Sequence, residues 1–249
     1  MKKIYFILLI ITSIAHATTL NLAVAANVSY AIDELKAKFH QKYPDVHLEV
    51  TLGGSGKLTA QILHGAPYDM LLSANMAYPE ALYNKGLATT PPKVYAQGAL
   101  AILSTHAKDF SQGIFIVKNP NIKRIAIANP KTAPYGKATI EALKNAKLYK
   151  SVKNKFIYGE SISQTVAYTM MAADIGFIAK SSLYSKKMQH FKEHKNWIAV
   201  DPKLYTPIKQ GVVILKRAKN SKAAKLFYDF LTTTDAKAIF KKYGYSVAF

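Results

Sequence analysis

Leu20-Asn21-Leu22-Ala23-Val24-Ala25-Ala26 is an apolar run of strand length, and the helical spacing directly after it sets the fold class. Ala31, Ile32, Leu35, Phe39 and Tyr43 recur at the spacing of a helix with one buried face. Val46 to Leu52 is a second strand, ending at Gly53-Gly54. Leu58, Ile62 and Leu63 mark a second helix, which Gly65 and Pro67 stop. Asp69 to Ser73 reads as a third strand, with a helix from about Pro79 to Lys85. The alternation continues. Strands are expected at Ala99 to Leu103, Arg124 to Ala128, Lys155 to Tyr158, Ile175 to Ala179 and Gly211 to Leu215. Helices are expected at Gly136 to Leu148, Ser161 to Ala173, from about Ser221, and from about Thr234 to a cap at Gly244. Strands alternating with helices imply α/β architecture, with parallel sheet covered on both faces. Ligands of such sheets bind outside the carboxyl ends of the strands, so the loops at those ends are where function is sought.

Ahead of the first strand, Lys2 and Lys3 precede an apolar run from Ile4 to Ile14 that closes on Ala15-His16-Ala17. These are the parts of a secretory signal peptide, and the run is shorter than the roughly 20 residues that span a bilayer. Residues 1–17 are therefore set aside as a leader. The chain contains no cysteine, so a secreted product would be held by packing alone and would lack the cysteine of a lipid anchor. A soluble periplasmic protein is the expectation. The formal charge of +20 is spread as scattered lysines, without a long basic run or an interleaved aromatic stripe. That pattern, together with export, speaks against nucleic acid. It describes a solvated basic surface whose field favours the approach of a small anion.

Four strand-to-helix loops share one chemistry: Ala25-Ala26-Asn27-Val28-Ser29, Gly53-Gly54-Ser55-Gly56-Lys57, Ala133-Pro134-Tyr135-Gly136 and Glu160-Ser161-Ile162-Ser163-Gln164. Each offers small or hydroxyl side chains and free N–H groups at a helix start, where roughly half a positive charge resides. Such ends bind anions. Ser161 and Gln164 have capping-box spacing, which leaves the N–H of Ile162 free. Each loop alone is an ordinary helix cap. Together they indicate an anion site without naming its cargo.

Ala25-Ala26-Asn27, Gly54-Ser55-Gly56-Lys57-Leu58 with Gln61-Ile62, and Gly65 to Ala74 resemble successive signatures of the periplasmic molybdate-binding proteins (the ModA family). Pro134-Tyr135-Gly136, Asp174-Ile175-Gly176-Phe177 and Ile239 to Tyr245 continue the resemblance in order. It implies a two-lobe fold of the periplasmic-binding-protein type 2 class, with a mixed, mostly parallel sheet in each lobe. Lobe I would comprise 18–97 plus 210–249 and lobe II 98–209, with crossings near Tyr95 to Gly98 and Lys209 to Gly211. It also implies binding of molybdate, and of tungstate, between the lobes by neutral donors, for delivery to the membrane permease of an ABC importer. The ligand residues carried over are Ala26, Asn27, Ser55, Tyr135 and Ile162, the last two through backbone N–H groups. Molybdenum would be held as its oxyanion, with no direct protein–metal ligand and no cofactor, by a monomer. One departure is visible: Ala179 stands where some family members use a tyrosine hydroxyl, and the Asn27 amide or a water would compensate.

A sulfate- or thiosulfate-binding protein of the same broad fold is the nearest alternative, because Asn27-Val28-Ser29-Tyr30 and Gly53 to Lys57 also resemble that family. An iron carrier would need hard anionic ligands, and no adjacent tyrosine pair stands near a strand end. Phosphate carries a proton that wants an acceptor, which Glu160 would provide only if it turned inward. An enzyme is not indicated. The seven histidines show no H-E-x-x-H spacing, no G-x-S-x-G elbow occurs, and Gly53 to Lys57 lacks P-loop spacing.

Overall fold

The computed structural model describes residues 18–248, and the expected leader, 1–17, lies outside them. The first lobe opens with strand β1 (Thr18–Ala25), helix α1 (Ile32–Lys42), β2 (Val46–Gly53), α2 (Ser55–Leu63), β3 (Met70–Ser73), α3 (Ala77–Asn84) and β4 (Lys93–Gly98). The second continues with β5 (Leu100–Leu103), β6 (Ile125–Ala128), α4 (Pro134–Asn145), α5 (Tyr149–Val152), β7 (Phe156–Gly159), α6 (Ile162–Met171), β8 (Ile175–Ala179) and β9 (Trp197–Ala199). The chain then returns to the first lobe with β10 (Ile208–Ile214), α7 (Lys222–Phe230) and α8 (Thr234–Lys242).

Each lobe is built on a five-stranded mixed sheet, ordered β2-β1-β3-β10-β4 in one and β7-β6-β8-β5-β9 in the other. The two sheets repeat one plan: three parallel strands, then an antiparallel neighbour, then an edge strand antiparallel to that one. β1 and β2 run in register from Thr18 beside Val46 to Ala25 beside Gly53, so their carboxyl ends are level. The second lobe matches this, with Ala128 beside Gly159. β4 and β10 pair where the chain crosses between lobes, Ile208 beside Gly98 and Lys209 beside Gln97.

Buried apolar side chains fill each lobe. In the first, the fully buried Phe39 of α1 meets Phe227 edge-on with ring centroids 5.0 Å apart, over Leu22, Val24 and Leu72. The second packs Ile125, Ile127, Leu143 and Phe177, and its cluster extends across the cleft to Ala25, Ala26 and Ala74. Small residues on both sides let the lobes meet closely.

Helix α8 ends as the sequence predicts. Gly244 takes φ +75°, its N–H donates to Lys241 O and that of Tyr245 to Phe240 O, the paired bonds of a Schellman cap. α4 differs from its expected span. Pro134 occupies its first turn, for which a fixed φ suits it, so Tyr135 lies within the helix rather than before it. The helix stops at Asn145, and Lys147 turns left-handed at φ 59°. Strands β4 and β9 are absent from the sequence reading: Lys93 and Gln97 interrupt the apolar pattern of β4, and β9 has only three residues.

α4 starts directly against the end of β6. A Cβ on Gly136 would lie 2.1 Å from Ala128 O, a backbone atom that cannot step aside. Gly136→Ala is therefore expected to destabilise the chain by about 1–3 kcal/mol, the usual cost of overpacking. Scanning calorimetry should show a melting temperature lower by about 2–4 °C per kcal/mol.

Candidate functional site

The level strand ends bring four loops to one cavity between the lobes. Its walls are Ala25, Ala26, Asn27, Gly53, Gly54, Ser55, Ala74, Ala133, Pro134, Tyr135 and Ile162. All five residues singled out from the sequence are among them. No lining side chain carries a charge. The centre of a water-sized sphere has about 10 Å³ in which to move. That suits one small solute and lies far below the roughly 300–1,000 Å³ of sites for organic molecules.

Several residues of this wall carry N–H groups without an acceptor among the described residues. Ser55, Tyr135 and Ile162 stand in the first turns of α2, α4 and α6, where an N–H has no acceptor within its own helix. Among the described residues no other acceptor is found for these three N–H groups, nor for that of Asn27. Ala74 N–H donates to Ser55 Oγ at 2.9 Å, which directs the hydroxyl hydrogen elsewhere. α6 is capped as its sequence implies: Gln164 N–H donates to Ser161 Oγ at 3.2 Å. The Gln164 side chain closes the box one residue earlier than the standard motif, accepting from Glu160 N–H at 2.6 Å.

Asn27 differs from expectation. Its Nδ2 donates to Gln210 Oε1 and to the Tyr245 hydroxyl, both at 2.8 Å. Its side chain is thereby committed to the protein, and only its backbone N–H is left for the cavity. Its Oδ1 is buried without a partner. Tyr245 O–H in turn donates to Asn27 O at 2.8 Å and lies 3.3 Å from Ser181 Oγ. Tyr135 contributes its N–H to the cavity while its ring runs back to the crossing, where a Cβ on Gly98 would meet the phenol oxygen. Burial pushes the Tyr135 and Tyr245 phenols well above the usual range; the neighbouring Tyr245, Tyr95 and Tyr205 phenols push Tyr135 further up. Both stay neutral.

Ala179 sits at the end of β8, buried, and presents no hydroxyl. Ser163 belongs to the fourth loop read from the sequence, without a role of its own; Tyr245, Gln210 and Ser181 were not read as part of this region. Of these three, Gln210 leaves a faint trace in the sequence, a polar residue just ahead of the apolar run Val212 to Ile214, and the structure buries it completely.

The lobes are closed on one another around the cavity. Gly56 N–H donates to Thr132 O at 2.8 Å. Ser163 O–H donates to Ala26 O at 2.9 Å and Ser181 O–H to Asn27 O at 3.1 Å. At the rim Lys57 Nζ lies 3.2 Å from Glu160 Oε2, and both side chains are largely in solvent. Glu160 thus turns outward, leaving no carboxylate in the cavity wall. Among the described residues, no group of three or more His, Cys, Asp or Glu side chains is placed to hold a metal ion.

Comparison with known proteins places this geometry. Residues 20–246 match the family model of the bacterial extracellular solute-binding proteins. The molybdate-binding protein ModA of Rhodobacter capsulatus is 35% identical over 225 residues, covering 90% of this chain and 86% of that one. The solved structure of the Azotobacter vinelandii periplasmic molybdate-binding protein superposes with a TM-score of 0.84 at 28% identity, over 92% of this chain and 100% of that one. The sulfate-binding protein SubI from Mycobacterium tuberculosis reaches 0.74 at 12% identity, over 92% of this chain and 86% of that one, which is a likeness of fold alone.

The Ser161 cap keeps the first turn of α6 in place. Ser161→Ala should lower stability by about 1 kcal/mol, the typical value for a lost hydroxyl cap. Urea unfolding followed by circular dichroism measures it.

Proposed function

This chain belongs to the bacterial extracellular solute-binding proteins and, within them, to the molybdate-binding ModA group; on that basis we propose that its interlobe cavity holds molybdate, for delivery to the membrane permease of an ABC importer. The observation that carries this reading is a cavity of single-solute size lined by N–H and O–H donors, with no charged side chain in its wall. Neutral donors suit a fully deprotonated oxyanion. They bind charge through oriented dipoles, as helix starts do.

The ligand set we propose is the backbone N–H groups of Ala26, Asn27, Tyr135 and Ile162 with the hydroxyl and N–H of Ser55. Tungstate, of the same charge and shape, enters the same set. A mature monomer working in the periplasm, with lobe I at 18–97 plus 210–249 and lobe II at 98–209, suits a carrier that closes on its cargo. The protein acts by binding, without a cofactor and without catalysis. Sulfate or thiosulfate is the weaker reading: the resemblance to that group rests on short loops, and the sulfate-binding structure supports the fold only. An iron carrier would need phenolate or carboxylate ligands. Burial keeps Tyr135 protonated, and Glu160 points away.

Selectivity derives from the donor-only wall. Hydrogen phosphate would present an O–H to donors, and Asn27 Oδ1, an unpartnered acceptor on a wall residue, has almost no accessible surface. An unmade buried hydrogen bond costs roughly 1–3 kcal/mol, or about tenfold to over a hundredfold in affinity. Isothermal titration is therefore expected to rank molybdate and tungstate together and phosphate far below both. Phosphate displacing molybdate at comparable concentration would overturn the donor-only site.

Ser55 and Lys57 separate direct bonding from distant charge. Ser55→Ala removes a hydrogen bond to a charged ligand, worth about 1.5–3 kcal/mol. Lys57→Ala removes an exposed rim charge already paired with Glu160, worth no more than about 1 kcal/mol. The same titrations should show the larger loss for Ser55→Ala.

A further inference from the structure

We propose that Ser163 and Ser181 form a clasp that holds the lobes shut and sets how slowly the ligand leaves, without touching the ligand. The proposal rests on the anion-binding reading above and extends it to residues outside the cavity wall.

Two consecutive carbonyls of lobe I, Ala26 O and Asn27 O, each accept a hydroxyl from lobe II. Ser163 O–H donates to the first at 2.9 Å and Ser181 O–H to the second at 3.1 Å. The donors come from different elements, one from the first turn of α6 and one from the turn after β8. They therefore grip the Ala26–Asn27 segment from two directions. Neither serine lines the cavity. Both bonds join residues more than 130 positions apart and run from one lobe to the other, so a motion that parts Ala26–Asn27 from α6 and from the turn after β8 breaks both.

The clasp is coupled to the cavity through the peptide it holds. Ala26 O and Asn27 N–H belong to one peptide group. A hydrogen bond accepted by that oxygen polarises the group and strengthens the N–H that faces the cavity. Ser163 is also the next residue after Ile162, whose N–H faces the same cavity, so one helix start presents a donor to the ligand and a hydroxyl to the opposite lobe. Asn27 O is shared with Tyr245 O–H at 2.8 Å, and Tyr245 is anchored in lobe I by its ring against Phe240 at 5.6 Å. Ser181 thus joins a network that lobe I already holds rigid. The contact is specific to closure: in an open molecule water satisfies the same hydroxyls and carbonyls, so their loss costs the unliganded state little.

These residues are positioning residues, and the prediction concerns rates. Stopped-flow fluorescence with molybdate is expected to show ligand dissociation about threefold to tenfold faster in Ser163→Val and in Ser181→Ala, the equivalent of one neutral hydrogen bond each. Association should stay within about twofold of wild type, as is usual when a change acts after encounter. Ser163→Thr, which keeps the hydroxyl at nearly the volume of valine, should restore slow dissociation. The melting temperature of the unliganded chain should be nearly the same for all variants. Small-angle scattering at saturating molybdate should show a larger radius of gyration for the double variant Ser163→Val/Ser181→Ala than for wild type. Unchanged dissociation in both single variants, or Ser163→Thr behaving as Ser163→Val, overturns the clasp and leaves the molybdate reading intact. A wild type that closes on sulfate but not on molybdate overturns the cargo instead, and the same rates are then read with sulfate. A wild type that closes on none of molybdate, tungstate, sulfate and thiosulfate overturns both.

Discussion

The parallel register of β1 with its two neighbours is the constraint on which the cleft depends. Ala25 ends beside Gly53, and Val24 lies beside Leu72. The turn after each strand therefore emerges at one edge of the sheet. A slip of one residue would shift a loop by roughly 3.3 Å and exchange the buried and exposed faces of its strand. The bond from Ala74 N–H to Ser55 Oγ would not survive it. Lobe II obeys the same rule through Ala128 and Gly159, and α4 starts hard against that edge because Gly136 has no side chain. The donors around the cavity are aimed by strand pairing well behind them.

Local signals in the sequence reached a good part of this arrangement. Strand–helix alternation revealed the α/β class, and hydroxyl and glycine residues at helix starts marked the loops that meet at the cavity. The spacing of Ser161 and Gln164 identified a real cap. The features that stayed hidden depend on distance along the chain. The partners of the Asn27 amide, Gln210 and Tyr245, lie 183 and 218 positions away, and no periodicity links them. Ser181 looks like any surface hydroxyl until the lobes are brought together, and Ser163 reads only as one hydroxyl of a helix start. β4 was illegible for another reason. It is a partly exposed edge strand, so Lys93 and Gln97 break the apolar alternation by which strands are recognised. The start of α4 falls two residues earlier than expected because Pro134 and Tyr135 read as loop residues, although a proline in the first turn is a normal way to begin a helix.

Charge is separated by scale. The whole chain carries a formal +20, yet the cavity wall contains no ionised group. Lysines spread over the surface attract anions over about a Debye length, roughly 8–10 Å at physiological salt, without choosing among them. Choice is left to short-range geometry, where an oriented N–H discriminates between an oxygen lone pair and a protonated oxygen. A lysine inside the wall would strengthen attraction to every anion and blur that discrimination. The Lys57–Glu160 pair keeps both charges at the rim, each largely in water.

β10 lies between β3 and β4 in the first sheet, although more than a hundred residues separate it from them in sequence. All strands of the second sheet, by contrast, fall between Leu100 and Ala199. During synthesis, which delivers the chain at roughly 5–20 residues per second, the second sheet has all its strands as soon as β9 has emerged. The first cannot close until residues 208–214 arrive to fill its gap, and Tyr245 emerges later still to brace Asn27. A chain interrupted before that point would own every proposed donor but not the frame that aims them. Competence to trap a solute is thus reserved for molecules whose manufacture has passed Tyr245.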